Sequence, residues 1–531
     1  MANKKWFQIR RELFKHLETQ VRHRLGPEPL DLQKYRKKYE KEFLGSWRVG
    51  TREDLLEALR NSEMILMGDF HALHQSQKAQ LRLLKELAES KVRVHLMLEC
   101  FEAKDQKLVD KFLSGALSDK EFLHKVRWEE RWGFPFEYYR PILKLAQKKK
   151  WQVSGVNLWL SKRSQKTLLA RDKFSAQIIE QRWNRGDERA FIIYGDLHLA
   201  KEHLVHFLKK KFVKLNVIRV FQNPESLYLR QLSRDPSFSE DVMRKGKFDF
   251  CLLNVPPWVK YQNYLMYLEE TYDFELDEDL DFTEHVAKYV KVICEDLKLN
   301  ISLDLLSVYS NQDDLFWSKI EDSFALKEVK IFEKMIEESK SFYVPEIQAG
   351  YLARLSVNHA ATLAMDYIHA QVSARQKSNI LGPNDFKKMI WQEGLRYFGS
   401  KLINPKRKTE TLTDLKSIQQ GNGDKQLVRE AVNLALSQKL AELMEIAGRS
   451  YPLAVKKIKN KWSYNLAAEY LGGILGERLF EGYRRKLLSE EQFLVFLNKN
   501  VDDPMFGLVY NEMLEIIESV PLSFKSKRER L

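Results

Sequence analysis

Cysteine is scarce in this chain: Cys100, Cys251 and Cys294 are its 3 in 531 residues. None is spaced for zinc, and so low an odd count argues against a disulfide framework. Long apolar runs are missing too, and no stretch approaches the ~18 uninterrupted apolar residues that span a bilayer. The amino terminus, Met1-Ala-Asn-Lys-Lys-Trp-Phe-Gln-Ile-Arg-Arg, begins basic but lacks the apolar core of a secretion signal, and no lipobox cysteine follows it. The expected location is therefore the cytoplasm. Arginine-rich repeats and recognisable nucleic-acid modules are absent. The excess of 88 Lys and Arg over 74 Asp and Glu, a formal +14, permits an anionic partner without requiring one, and no specific nucleic-acid partner is expected. Its local clusters, such as Lys148–Lys150, Lys209–Lys211, Lys406–Lys408 and the tail Lys525–Arg530, read as solvated faces.

What the chain does have is an alternation of apolar runs and amphipathic stretches. Residues 1–45 read as charged helices broken at Gly26-Pro27-Glu28-Pro29. From 46 to 268, β-rich runs at Met64–Met67, Val94–Leu98, Gln152–Val156, Phe191–Tyr194, Leu215–Phe221 and Phe248–Val255 alternate with helical periodicity, as in Gln75–Ser90 and Lys162–Asn184. That grammar predicts an α/β fold with a mostly parallel sheet flanked by helices. The acidic stretch Phe274–Phe282 marks a boundary, and 269–531 is expected to be a large all-α helical domain. Expected helices there include Thr283–Leu297, Asp314–Lys340, Glu346–Gln376, Pro383–Phe398, Lys425–Gly448 and Trp462–Leu488, with Gly421-Asn422-Gly423 as loop.

Three of the β-rich runs end on chemistry. Gly68-Asp69-Phe70-His71 follows the first, Glu99 closes the second, and Gly195-Asp196-Leu197-His198 follows the fourth. In α/β folds, ligands sit outside the carboxyl ends of the strands. Histidine two residues after an acid offers a neutral nitrogen ligand or a base near neutral pH, and the acid can orient it or bind metal itself. His74 lies three residues past His71. Arg171-Asp172 on the long helix reads either as a site pair or as an exposed ion pair. Trp128 and Trp132 read as packing aromatics, and Tyr138 and Tyr139 either as packing residues or as a phenolate source.

These landmarks, together with Gln106–Phe112, Trp128, Trp132-Gly133, Tyr139 with Pro141, Asn157 and Arg171-Asp172, resemble the ChaN-like domain of the haem-binding-uptake/Tiki superfamily. TraB proteins and erythromycin esterases are more distant relatives. The resemblance covers about 60–265. It implies a divalent metal or haem as cofactor, and a cleft built from His71, Glu99 and His198 as metal ligands or catalytic groups. Asp196 would be a further ligand, Arg171 would steady developing negative charge, and Asp69, His74 and Asn157 would contact the bound group. It also implies a hydrolase, metal-dependent in Tiki-type members, in which a metal- or histidine-activated water attacks a polarised carbonyl, with His71 as base or ligand. The first motif reads Gly-Asp where ChaN and esterase relatives usually carry Gly-Glu.

The helical half adds one stripe, His359, Asp366 and His369, which reads as an acid–histidine metal motif or as a hydrogen-bonded polar face. Gly472, Gly473 and Gly476 suit close helix packing. Two functions remain open: a ChaN-like metal- or haem-binding hydrolase acting on a small molecule or peptide, or a non-catalytic haem- or ligand-binding regulator whose helical half binds a protein partner.

Overall fold

The computed structural model describes residues 2–90, 93–161, 164–186, 188–212, 214–236, 238–272, 282–304, 306–310, 313–354, 356–377, 385–421, 426–449, 461–522, 526 and 530. The acidic stretch 274–281, the turn 422–423 and most of the basic tail lie outside the described residues. Two helices open the chain, α1 (Ala2–Leu25) and α2 (Leu30–Lys41). The main sheet is built from β1 (Arg48–Val49), β2 (Met64–Asp69), β3 (Val94–Glu102), β4 (Gln152–Asn157), β5 (Arg189–Gly195), β6 (Val217–Gln222), β7 (Val242–Lys245) and β8 (Asp249–Leu252). Its spatial order is β1-β7-β8-β6-β2-β5-β3-β4. The six strands from β8 to β4 pair in parallel, while β7 and β1 close one edge antiparallel. The run Phe248–Val255 thus contributes only Asp249–Leu252 as a parallel strand.

The central strands are buried on both faces, which is why they read as continuous apolar runs rather than alternating ones. Ile65, Met67, Leu96 and Ile193 face a core closed by helices between residues 52 and 149. Met64, Leu66, Met97 and Ile192 face the other core, which runs without interruption through α1 and α2 into the helical half. Three polar links tie these parts together. Arg10 of α1 donates to Asp296 Oδ1 at 3.0 Å and to the Leu402 carbonyl at 2.6 Å. Trp258 Nε1 donates to the Ile403 carbonyl at 2.7 Å. Lys406 donates to the Ser239 and Glu240 carbonyls and to Asp241, which also accepts from Lys408. The Lys406–Lys408 cluster is therefore a clamp between the two halves and not a solvated face.

The half beyond residue 282 is not all helical. Strands β9 (Ser307–Tyr309), β10 (Phe342–Val344) and β11 (Ala349–Tyr351) form a second small sheet, with β10 antiparallel and β9 parallel to β11. The expected long helix 314–340 is two, Asp314–Ser323 and Leu326–Glu337, and the expected 346–376 helix is β11 followed by Val357–Val372. The second of these helices ends at Glu337, with Ser339 at positive φ just beyond, and Pro345 opens a short 3-10 turn, Pro345–Ile347, that separates the aromatic β10 from β11. No described helix is long and apolar enough to cross a membrane.

The glycines of Trp462–Arg484 do let two helices touch. A Cβ on Gly476 would stand 2.3 Å from the Gly394 carbonyl oxygen of Phe386–Ile403, and one on Gly472 would stand 2.5 Å from Glu393 Cβ. Backbone on the far side cannot yield as a side chain can. Gly476→Ala should force the pair apart and cost about 2 kcal/mol or more, read as a lower midpoint in denaturant unfolding.

Candidate functional site

Parallel pairing of β2 with β5 sets Gly68 against Tyr194 and Asp69 against Gly195, so both motifs turn off the sheet side by side. On the other flank of β5, β3 runs in register with Leu98 against Ile193, and Glu99 emerges beside them. Three strand ends thus meet. His71 Nε2 lies 3.8 Å from Glu99 Oε2, and His198 Nε2 lies 4.0 Å from Glu99 Oε1. Gly195 floors the space between them. A Cβ there would meet Glu99 Oε2 at 3.2 Å, and His198 Cδ2 and His71 Nε2 at 3.4 Å each.

Each imidazole is held from behind by its own buried carboxylate. His71 Nδ1 is 2.8 Å from Asp69 Oδ2, and Asp69 also accepts from Tyr139, Gln77 and Gln80 at 2.8, 2.6 and 2.9 Å. His198 Nδ1 is 2.5 Å from Asp172 Oδ1, whose other oxygen accepts from Tyr35 at 2.9 Å. With a carboxylate behind Nδ1, each ring turns its Nε2 edge towards Glu99. His71 is the more open of the two, at 17% side-chain exposure against 7%. Trp132 and Phe134 flank its ring at centroid distances of 4.4 and 5.0 Å.

Glu99 is buried but saturated. One oxygen pairs with Arg171, and the other accepts the Gly195 N–H at 2.5 Å. Burial alone would push its carboxyl up. Arg171, then His71, His198 and the Gly195 N–H outweigh that and hold it below the usual range. Asn157 steadies the same arginine, accepting from Arg171 Nε at 3.1 Å. Arg171 and Asp172 are not an exposed pair: successive residues on a helix point about 100° apart, so one serves Glu99 and the other His198.

The remaining sequence candidates lie elsewhere. Asp196 is engaged on both oxygens, by Tyr39 and by the Gln222 N–H at 2.9 Å, and it fills the space over Gly68, where a Cβ would meet Oδ1 at 1.7 Å. His74 stacks on Tyr138 at 4.4 Å and 5°. Burial, then nearby Lys78, lower its pKa to about 4, so its ring is neutral. Cys100, next to Glu99, is kept protonated by burial and then by Asp69 and Glu99, so it is not a ready nucleophile. Tyr139 likewise stays protonated through burial and Asp69, and it is not a phenolate ligand. In the helical half, Asp366 is committed to Arg396 at 2.7 Å, Arg375 at 3.2 Å and the Tyr343 N–H at 3.0 Å, and His359 and His369 bond to Ser341 and the Lys499 carbonyl. That stripe is a polar network.

The two inferred cofactors can be tested against this geometry. Among the described residues, no group of three or more His, Cys, Asp and Glu side chains is arranged to hold a metal ion. The donor types of His71, His198 and Glu99 suit a divalent cation. However, Glu99 would first have to leave Arg171, and Asp196 is turned to other partners, so as placed these four do not form a ligand shell. A cavity lined among others by Cys100, Glu102, Trp132, Asn157 and Trp159, but by none of His71, Glu99 and His198, holds about 20 Å³. That is room for a single water, and a macrocycle needing several hundred Å³ would have to sit elsewhere.

Asp196 generates a prediction of its own. Burial pushes its carboxyl up to about 7, against the opposing effect of Tyr39. A raised carboxyl pKa means the folded chain holds a proton that the unfolded chain releases near 4. This stability is present at low pH and is lost as pH rises towards 7. Between pH 5 and pH 7 the wild type should lose about 2 kcal/mol relative to Asp196→Asn, measured as a difference between their denaturation curves.

Comparisons with known proteins agree with the motifs over part of the chain. No curated protein matches. A solved structure described as cofacial haem binding to ChaN of Campylobacter jejuni aligns at 15% identity, over 33% of this chain and 86% of that one, with a TM-score of 0.27. Residues 55–166, which carry Gly68 through Asn157, match the family model described as haem-binding uptake, Tiki superfamily, ChaN, and over that stretch the chain is similar to ChaN-type domains.

Proposed function

We propose that the strand-end cleft is a hydrolytic site in which His71 activates water for attack on a carbonyl carbon. The supporting observation is the pair of Asp–His dyads, Asp69–His71 and Asp172–His198, aimed at opposite oxygens of Glu99. Asp69 fixes the His71 tautomer so that Nε2 accepts the water proton as the oxygen attacks. Glu99, kept ionised by Arg171, orients that water and stabilises the imidazolium that forms. His198 faces the same point, and in its protonated form its Nε2–H can donate to the carbonyl oxygen as charge develops. Collapse breaks the bond to the leaving group, which takes its proton from His71. The reactant class is an ester or amide, and Trp132 and Phe134 beside His71 give its acyl or leaving group an aromatic wall.

Similarity of residues 55–166 to a haem-binding family brings haem as a candidate ligand as well. No step is derived through it. Release of acid from a panel of esters and peptides tests the proposal. His71→Ala should lower turnover roughly 10²–10⁴-fold, while chelators leave the wild-type rate unchanged. No turnover on either class would overturn hydrolysis. One metal per chain, lost in the His71→Ala/His198→Ala double variant, would replace the histidine mechanism with a metal-based one.

A further inference from the structure

The two dyads differ in where their support comes from. Asp69 is fixed from within the α/β unit by Tyr139, Gln77 and Gln80. Asp172 is fixed by Tyr35, which α2 carries from outside both that unit and the family match. Tyr35 closes a three-membered ring of hydrogen bonds. Its O–H donates to Asp172 Oδ2 at 2.9 Å, and its oxygen lies 2.9 Å from His198 Nδ1, which itself donates to Asp172 Oδ1. The phenol ring is fully buried and stacks flat on His203, with centroids 3.5 Å apart and 8° between planes. His203 in turn bonds through Nδ1 to the Leu197 carbonyl at 2.7 Å, inside the turn that presents His198. One aromatic pair thus grips the carboxylate, the imidazole and the backbone of the second motif.

We propose that Tyr35 is a positioning residue for His198, fixing Asp172 so that the imidazole keeps Nδ1–H inward and Nε2 towards Glu99. The role rests on the reading of the strand-end cleft as an acid–base site, but the contact is testable without turnover. Tyr35→Phe keeps the ring and its stack and removes only the hydroxyl. The measurement is solvent exchange of the imidazole Nδ1–H protons in full-length, ¹⁵N-histidine-labelled protein, with resonances assigned from His71→Gln and His198→Gln variants. Loss of one hydrogen bond to the charged acceptor should speed exchange at His198 about tenfold and leave His71 unchanged. Tyr139→Phe should do the converse. Unchanged exchange at His198, or equal acceleration at both histidines, would overturn the role. If hydrolysis is never found and His198 alone responds, the positioning stands while the proposed reaction falls.

Discussion

The site depends on one hydrogen-bonded register, the parallel pairing that places Asp69 of β2 opposite Gly195 of β5. Side chains alternate along a strand, so a slip of one residue would turn Asp69 and His71 to the other face and separate the dyads. The register is well determined because both strands are buried on both sides, and Ile65, Met67 and Ile193 fill one core while Met64, Leu66 and Ile192 fill the other. Once β2 and β5 are fixed, β3 delivers Glu99 to the space over Gly195, where a side chain would crowd all three groups.

Charge in this small volume is arranged so that each buried carboxylate has a dedicated partner. Asp69 and Asp172 each stand behind an imidazole, and Glu99 faces Arg171. Buried acids left unpaired would take up protons or destabilise the fold. Here the pairing keeps Glu99 ionised and leaves both histidines free to exchange a proton on the side facing the cleft. The same logic recurs far from the site, where Asp366 sits between two arginines and Asp241 between two lysines.

Sequence makes some of this visible and hides the rest for physical reasons. The six parallel strands are legible as apolar runs, and the Gly-Asp-x-His motifs are legible because strand ends are where such folds place reactive groups. Asp172 is partly legible: it stands beside Arg171, but its direction depends on helix rotation and not on its neighbour in sequence. Tyr35 carries no local signal at all, since a tyrosine in a charged helix looks like any half-buried aromatic until the tertiary contact is made. Asp196 misleads because its motif repeats that of Asp69, while its neighbours, Tyr39 and Gln222, come from segments far away in the chain. The small sheet β9–β11 has strands of three residues each, too short for a period of two to stand out from a helical background.

Arg10 gives the architecture a temporal side. Its guanidinium is fully buried, and its partners, Asp296 and the Leu402 carbonyl, lie almost 300 and 400 residues further along the chain. A chain emerging from the ribosome completes its sheet and both motifs before those partners exist, so during that interval Arg10 of α1 has no seat for its buried charge. The partners of α2, by contrast, lie within the α/β unit, so Tyr35 can reach Asp172 before the helical half has been made. Arg10 is thus translated hundreds of residues before the groups that pair its charge.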